Sequence, residues 1–181
     1  TSTWSRADQT YLPDRPWTGQ PIEQMALDVR AGYDVAAAAS NVAAVNGVGE
    51  AWSRAMALGI ADPNPYDGIE ADKVDLWTYD HYHASHYGYY LEALVVFGNL
   101  TGLDPRSLGE NECSAYELGM SRNQVRMLQQ AGPPRRRSLI RGAVSRQSMR
   151  MSLSVATSHR RNSAPRSNYQ PTATSDRQNS P

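Results

Sequence analysis

One stretch of this chain, Val42 to Val48, reads as a buried β-strand, and no other segment does so with equal clarity. It is short, apolar and closed by Gly47 and Gly49, which suits a strand covered on both faces in a parallel sheet. Helical patterns flank it. Before it, Ile22, Met25, Ala26, Val29, Tyr33 and Ala36 recur at helical spacing behind Pro21, a residue suited to a first helical turn. After it, Glu50–Leu58 predicts a helix stopped by Gly59. A long connection over 60–79 follows, dense in turn residues at Asp62-Pro63-Asn64-Pro65-Tyr66-Asp67-Gly68. A loop of that length inside a compact domain is usually functional. Ser85 is placed to cap a helix whose stripe is Tyr87, Tyr90, Leu91, Leu94, Val95 and Gly98, ending near Gly102. Two short helices, over 110–118 and 122–130, close the pattern, the second opening with the capping-box spacing Ser121-x-x-Gln124. The opening stretch, Thr1 to Gln20, reads as loop. Helix, buried strand, helix, loop, helix is the order of a layered α/β fold. A parallel sheet cannot consist of one strand, so the other strands are expected upstream of Thr1, leaving an incomplete, mostly helical piece.

Charge divides the chain at Gly132. The formal net charge is zero, from 18 basic and 18 acidic residues, yet residues 1–131 hold 17 acids against 8 bases and residues 132–181 hold 1 acid against 10 Arg. The first piece carries all four Trp, the Phe and nine of the ten Tyr, enough apolar material for one compact domain. In the second, 10 Ser, 10 Arg and 5 Pro make up half of the 50 residues, a composition whose burial cannot offset its ordering entropy. Disorder is expected there, and a tail of this composition is also what translation in a shifted frame yields. Its arginines, Arg135-Arg136-Arg137 first among them, offer a phosphate-binding alternative. The tail's one aromatic, Tyr169, stands away from them, and Leu139, Ile140, Val144, Met151 and Val155 give only a faint basic amphipathic pattern, so nucleic acid is not the expected partner. A single cysteine, Cys113, excludes an internal disulfide framework and a cysteine-rich zinc site. Leu94-Val95-Val96-Phe97, the longest bulky apolar run, falls far short of the roughly 20 residues that span a bilayer. The chain begins with Thr and shows no signal-peptide pattern, so its N-terminus is expected to be truncated and its compartment is left open.

Chemistry concentrates in Asp80-His81-Tyr82-His83, just ahead of the helix capped by Ser85. A carboxylate three residues before a histidine can fold back and accept the imidazole Nδ1–H. That bond fixes the tautomer, leaves Nε2 as a base and stabilises the imidazolium formed when a proton is taken. On this reading His83 is the general base and Asp80 its orienting acid. Asp80, His81, His83 and His86 also place four potential ligands within seven residues, so a zinc site is the rival reading. Trp77, Tyr79, Tyr82, Tyr87, Tyr89 and Tyr90 either pack as core and caps or line a sugar-binding rim beside His83. Trp52 is expected in the core.

The run from Asp80 to Leu94 resembles the C-terminal block of SGNH/GDSL-type hydrolases, where an Asp-x-x-His pair precedes a small capping residue, a Gly and an apolar helix. The continuation Val95-Val96-Phe97-Gly98-Asn99-Leu100-Thr101-Gly102-Leu103-Asp104-Pro105 is similar to one bacterial branch of that family. Val45 to Trp52 resembles the strand and helix that precede the block, and the likeness runs from about Trp4 to Gln130. The resemblance implies a flavodoxin-like three-layer α/β serine hydrolase that cleaves ester bonds, often acetyl groups on carbohydrates, without a cofactor. Asp80 and His83 take the Asp and His places of its triad. A small-molecule or carbohydrate ester is the implied substrate of the whole protein. The family's Gly-Asp-Ser-type nucleophile block and its Gly and Asn oxyanion blocks have no counterpart here. Asp67-Gly68 is not followed by Ser, no Gly-x-Ser-x-Gly elbow occurs, Asn46-Gly47 lies on the wrong element, and Ser85 is placed as a helix cap. A triad works as a unit, so this chain is expected to be a C-terminal fragment, inactive alone.

Overall fold

The computed structural model describes residues 1–133, and the expectations for the tail lie outside the described residues. Six α-helices occur there: α1 (Ala7–Tyr11), α2 (Gln24–Ala39), α3 (Val48–Ala57), α4 (His86–Thr101), α5 (Cys113–Glu117) and α6 (Arg122–Ala131), with a 3-10 turn at Pro105–Leu108. α1 falls where loop was expected, and the 3-10 turn lies between the expected helices ending near Gly102 and starting at 110.

Helix ends follow local side-chain chemistry. Ser85 accepts hydrogen bonds from the backbone N–H groups of Tyr87 and Gly88, and α4 ends at Gly102 in the left-handed conformation, φ 69°. Ser121 and Gln124 form the reciprocal capping box that opens α6. α3 ends at Leu58, followed by Gly59 at φ 69°.

No strand forms among the described residues. Val42–Val48 is not one: Gly47 makes a single parallel bridge to Ser2, Val48 already begins α3, and Val42 is 54% exposed. The reason is pairing. A strand persists only where its backbone groups find partners, and here the bridge is one bond deep, Ser2 N–H donating to the Asn46 carbonyl at 2.9 Å. Two other isolated bridges, Ala61 to Val74 and Trp77 to Ala84, pin the ends of the 61–84 connection.

The core lies where α3, α4 and α6 meet, with Trp52, Leu91, Leu94, Val95, Val125 and Leu128 all buried. Trp52 is its centre. Its ring stacks on Trp4 at 4.8 Å and meets Trp77 edge-on at 5.3 Å. α4 comes this close because it crosses Trp52 at Gly88, where a Cβ would lie 2.5 Å from the Trp52 ring and 2.4 Å from the Leu76 carbonyl. α2 differs from its expected pattern. Met25 and Ala26 are buried near its start, but Tyr33 and Ala36 are exposed and Val35 is 73% exposed. It is tied down by Ser5 Oγ accepting from Ala26 N–H and by an Arg30–Glu50 ion pair, and beyond Arg30 its apolar residues meet little protein.

Candidate functional site

The site begins with a tight loop between Leu76 and Ser85. Its stems are held by Ser85 N–H to the Leu76 carbonyl and Thr78 N–H to the His83 carbonyl, both 2.8 Å, with the antiparallel Trp77–Ala84 bridge between them. At the tip His81 takes a left-handed backbone, φ 55°, and its N–H donates to the Thr78 carbonyl at 2.9 Å. The N-terminal segment braces the loop from outside. Trp4 Nε1–H donates to the Tyr82 carbonyl at 3.1 Å, and Ala7 N–H donates to the His81 carbonyl at 3.1 Å. The Arg6 guanidinium, itself paired with Asp8, lies 3.8 Å over the Tyr82 ring.

Within this frame Asp80 and His83 meet as expected. Asp80 Oδ2 lies 2.6 Å from His83 Nδ1. The other carboxylate oxygen, Oδ1, accepts from Thr78 Oγ1–H at 2.7 Å, His83 N–H at 2.9 Å and Tyr82 N–H at 3.0 Å. These donors favour the charged carboxylate, so Asp80 is held well below the usual carboxylate range, the His83 contact contributing most and Thr78 next. The His83 side chain is 59% exposed, and no described residue hydrogen-bonds its Nε2. An imidazole whose Nδ1–H donates to a carboxylate leaves Nε2 as an open basic nitrogen on the exposed side of the ring.

The remaining candidates separate from this pair. His81 packs against Tyr66 with the rings tilted and their centres 4.3 Å apart, its Nδ1 buried and unpartnered, and His86 packs on Tyr87 at 3.9 Å. Among the described residues no three His, Cys, Asp or Glu side chains gather as metal ligands, so the zinc set Asp80, His81, His83 and His86 is not assembled. The cause is local: the His81 backbone turns its ring to Tyr66, and Asp80 is already occupied by four hydrogen-bond partners. Ser85 is no nucleophile in this arrangement. Its hydroxyl donates to the Asp75 carbonyl at 2.7 Å and accepts the two cap hydrogen bonds of α4. Of the aromatics, Trp77 and Tyr90 are core. Tyr82 lies 4.4 Å from the His83 ring, while Tyr89 meets Trp4 edge-on and stays half-exposed. A cavity of about 380 Å³ beside α5 and α6, lined by Cys113, Tyr116 and Met120 among others, includes none of the loop residues 77–85. No described helix is long and apolar enough to cross a membrane.

Three participants escaped sequence reasoning. Trp4 and Arg6 reach the loop from more than seventy residues away, with no local signal. Thr78 is different: a hydroxyl two residues before the aspartate was a legible cue. No family model, no curated protein and no solved structure matches this chain, so the reading of its site rests on geometry and on the chemistry of these side chains.

Proposed function

We propose that residues 1–131 are the C-terminal part of an SGNH-like serine ester hydrolase and supply the Asp and His of its triad, Asp80 and His83. The observation that carries this is the 2.6 Å contact between Asp80 Oδ2 and His83 Nδ1, ahead of a capped helix and with the imidazole's far side accessible. In the reaction His83 Nε2 takes the proton of an attacking serine hydroxyl and later returns it to the leaving alcohol, and Asp80 stabilises the imidazolium between those steps. Asp80 suits that task because it stays ionised throughout.

A flavodoxin-like α/β domain is the fold proposed for the whole. Supporting it, Ser2 and Gly47 pair in parallel with α2 lying between them in sequence, the connection that neighbouring parallel strands require. Val42 and Val35 are exposed beside that connection, apolar surface of the kind a larger sheet would cover. Ester substrates on a carbohydrate are the proposed class, supported by the accessible Tyr82, whose ring lies 4.4 Å from that of His83.

The nucleophile must come from outside the described residues, so the isolated chain is expected to show no turnover of nitrophenyl acetate above buffer. The reading frame that carries this chain, expressed with its preceding codons, should turn it over and lose about 10⁴-fold or more on His83→Ala. Turnover by the isolated chain that His83→Ala abolishes would overturn the fragment reading. Turnover by the longer product that ignores His83→Ala would overturn the triad reading.

A further inference from the structure

We propose that Thr78 is the positioning residue of this site: its hydroxyl holds one oxygen of the Asp80 carboxylate so that the other stays in line with His83 Nδ1, which favours the proton on that nitrogen. The assignment rests on the hydrolase reading for its catalytic meaning, but its geometry stands independently of turnover.

The Thr78 hydroxyl has one proton to donate and two acceptors within reach. The Asp80 carboxylate is at 2.7 Å and the His83 carbonyl at 3.4 Å. The shorter contact, to a charged oxygen, is the stronger one. With Thr78 added to the two backbone donors, three hydrogen bonds converge on Oδ1, which offers only two lone pairs. Oδ1 is therefore saturated, and because a half-turn only exchanges two equivalent oxygens, what the three donors resist is a partial twist, which would pull one oxygen off them and the other out of line with Nδ1. Oδ2 makes one contact, the 2.6 Å contact to Nδ1. Thr78 is well anchored for this role, because its own N–H donates to the His83 carbonyl and its carbonyl accepts from His81 N–H. Aspartate and histidine are thus held from one residue on the opposite stem of the loop. The backbone N–H donors set where the carboxylate lies, and the side chain sets which way it faces. Removing the hydroxyl takes one of the three restraints off Oδ1 and lets the carboxylate twist.

The test reads the tautomer directly in the full chain. Histidine-¹⁵N-labelled protein is studied by long-range ¹H–¹⁵N correlation at about pH 8, above the ordinary imidazole range, with His83 assigned by the loss of its signals in His83→Gln. The unaltered chain should show His83 predominantly as the Nδ1–H tautomer. Thr78→Val should shift it toward the mixture of a free imidazole, and Thr78→Ser, which restores a hydroxyl, should return it. An even mixture in the unaltered chain overturns the assignment without any variant. An unchanged tautomer in Thr78→Val, or a failure of Thr78→Ser to restore it, overturns it as well. None of these readings requires hydrolysis, so a chain with no esterase role can still confirm or sink the Thr78 assignment, and failure of the hydrolase reading shows separately in the turnover assay.

Discussion

The loop over 77–85 and the core under it are built by opposite means, although Ser85 joins them. The core is apolar packing around one ring: Trp52 is fully buried, clasped by Trp4 and Trp77, with Gly88 giving way to it. The loop holds its shape in solvent by hydrogen bonds, with His83 exposed and Asp80 gripped by four partners. Removing buried area weakens a fold in proportion to what is lost, whereas exposed polar contacts contribute little to stability and much to geometry. The difference teaches that stability and chemistry are separable here. Trp4 and Trp77 belong to both regions, and away from them a side chain removed from one is expected to leave the other in place.

The largest expected effect tests the core half of that comparison. Trp52→Ala should cost about 3–5 kcal/mol in urea unfolding, the range for deleting a buried large aromatic. A loss under about 1 kcal/mol would mean the ring is not the keystone its burial implies.

Next comes the joint between the regions. Ser85→Ala removes the α4 cap and the bond to the Asp75 carbonyl, and should cost about 1–2 kcal/mol in the same measurement. Because Ser85 also closes the loop stem, its backbone N–H reaching Leu76, His83 should keep its environment when only the hydroxyl is lost. A change in the His83 ring signals on Ser85→Ala would show the two regions to be coupled after all.

The smallest effect is the pH dependence of the loop. The folded-state pKa of Asp80 is depressed, so its contribution to stability is present above the ordinary carboxylate range, near 3.9, and is lost only as pH falls through the still lower folded value. Asp80→Asn should therefore lower the unfolding midpoint slightly at neutral pH, and the two proteins should converge in strong acid. A gap that closes instead on raising the pH from neutral would show that the stabilising species is not the carboxylate.

What was legible in the sequence was local. The Asp80–His83 pair, the Ser85 cap, the Ser121–Gln124 box and the glycines that follow α3 and α4 each span four residues or fewer, so neighbouring residue types sufficed to specify them. Trp52 was legible as core because an apolar ring on a helical stripe has few other places to go. What required the tertiary structure was everything whose partner is distant. Val42–Val48 carries the composition of a strand, but a strand exists only through its neighbour, and Ser2 offers a single bridge. The stripe through Tyr33 and Ala36 predicts burial, but burial depends on what stands opposite, and α2 runs past the elements that hold its first turns. The four potential ligands between Asp80 and His86 offered a metal site as a rival to the base reading by spacing alone. The left-handed turn at His81 and the bracing of the loop by Trp4 and Ala7 decided which of these side chains meet, Asp80 with His83 and His81 with Tyr66, because side-chain direction is a property of the folded backbone rather than of residue order.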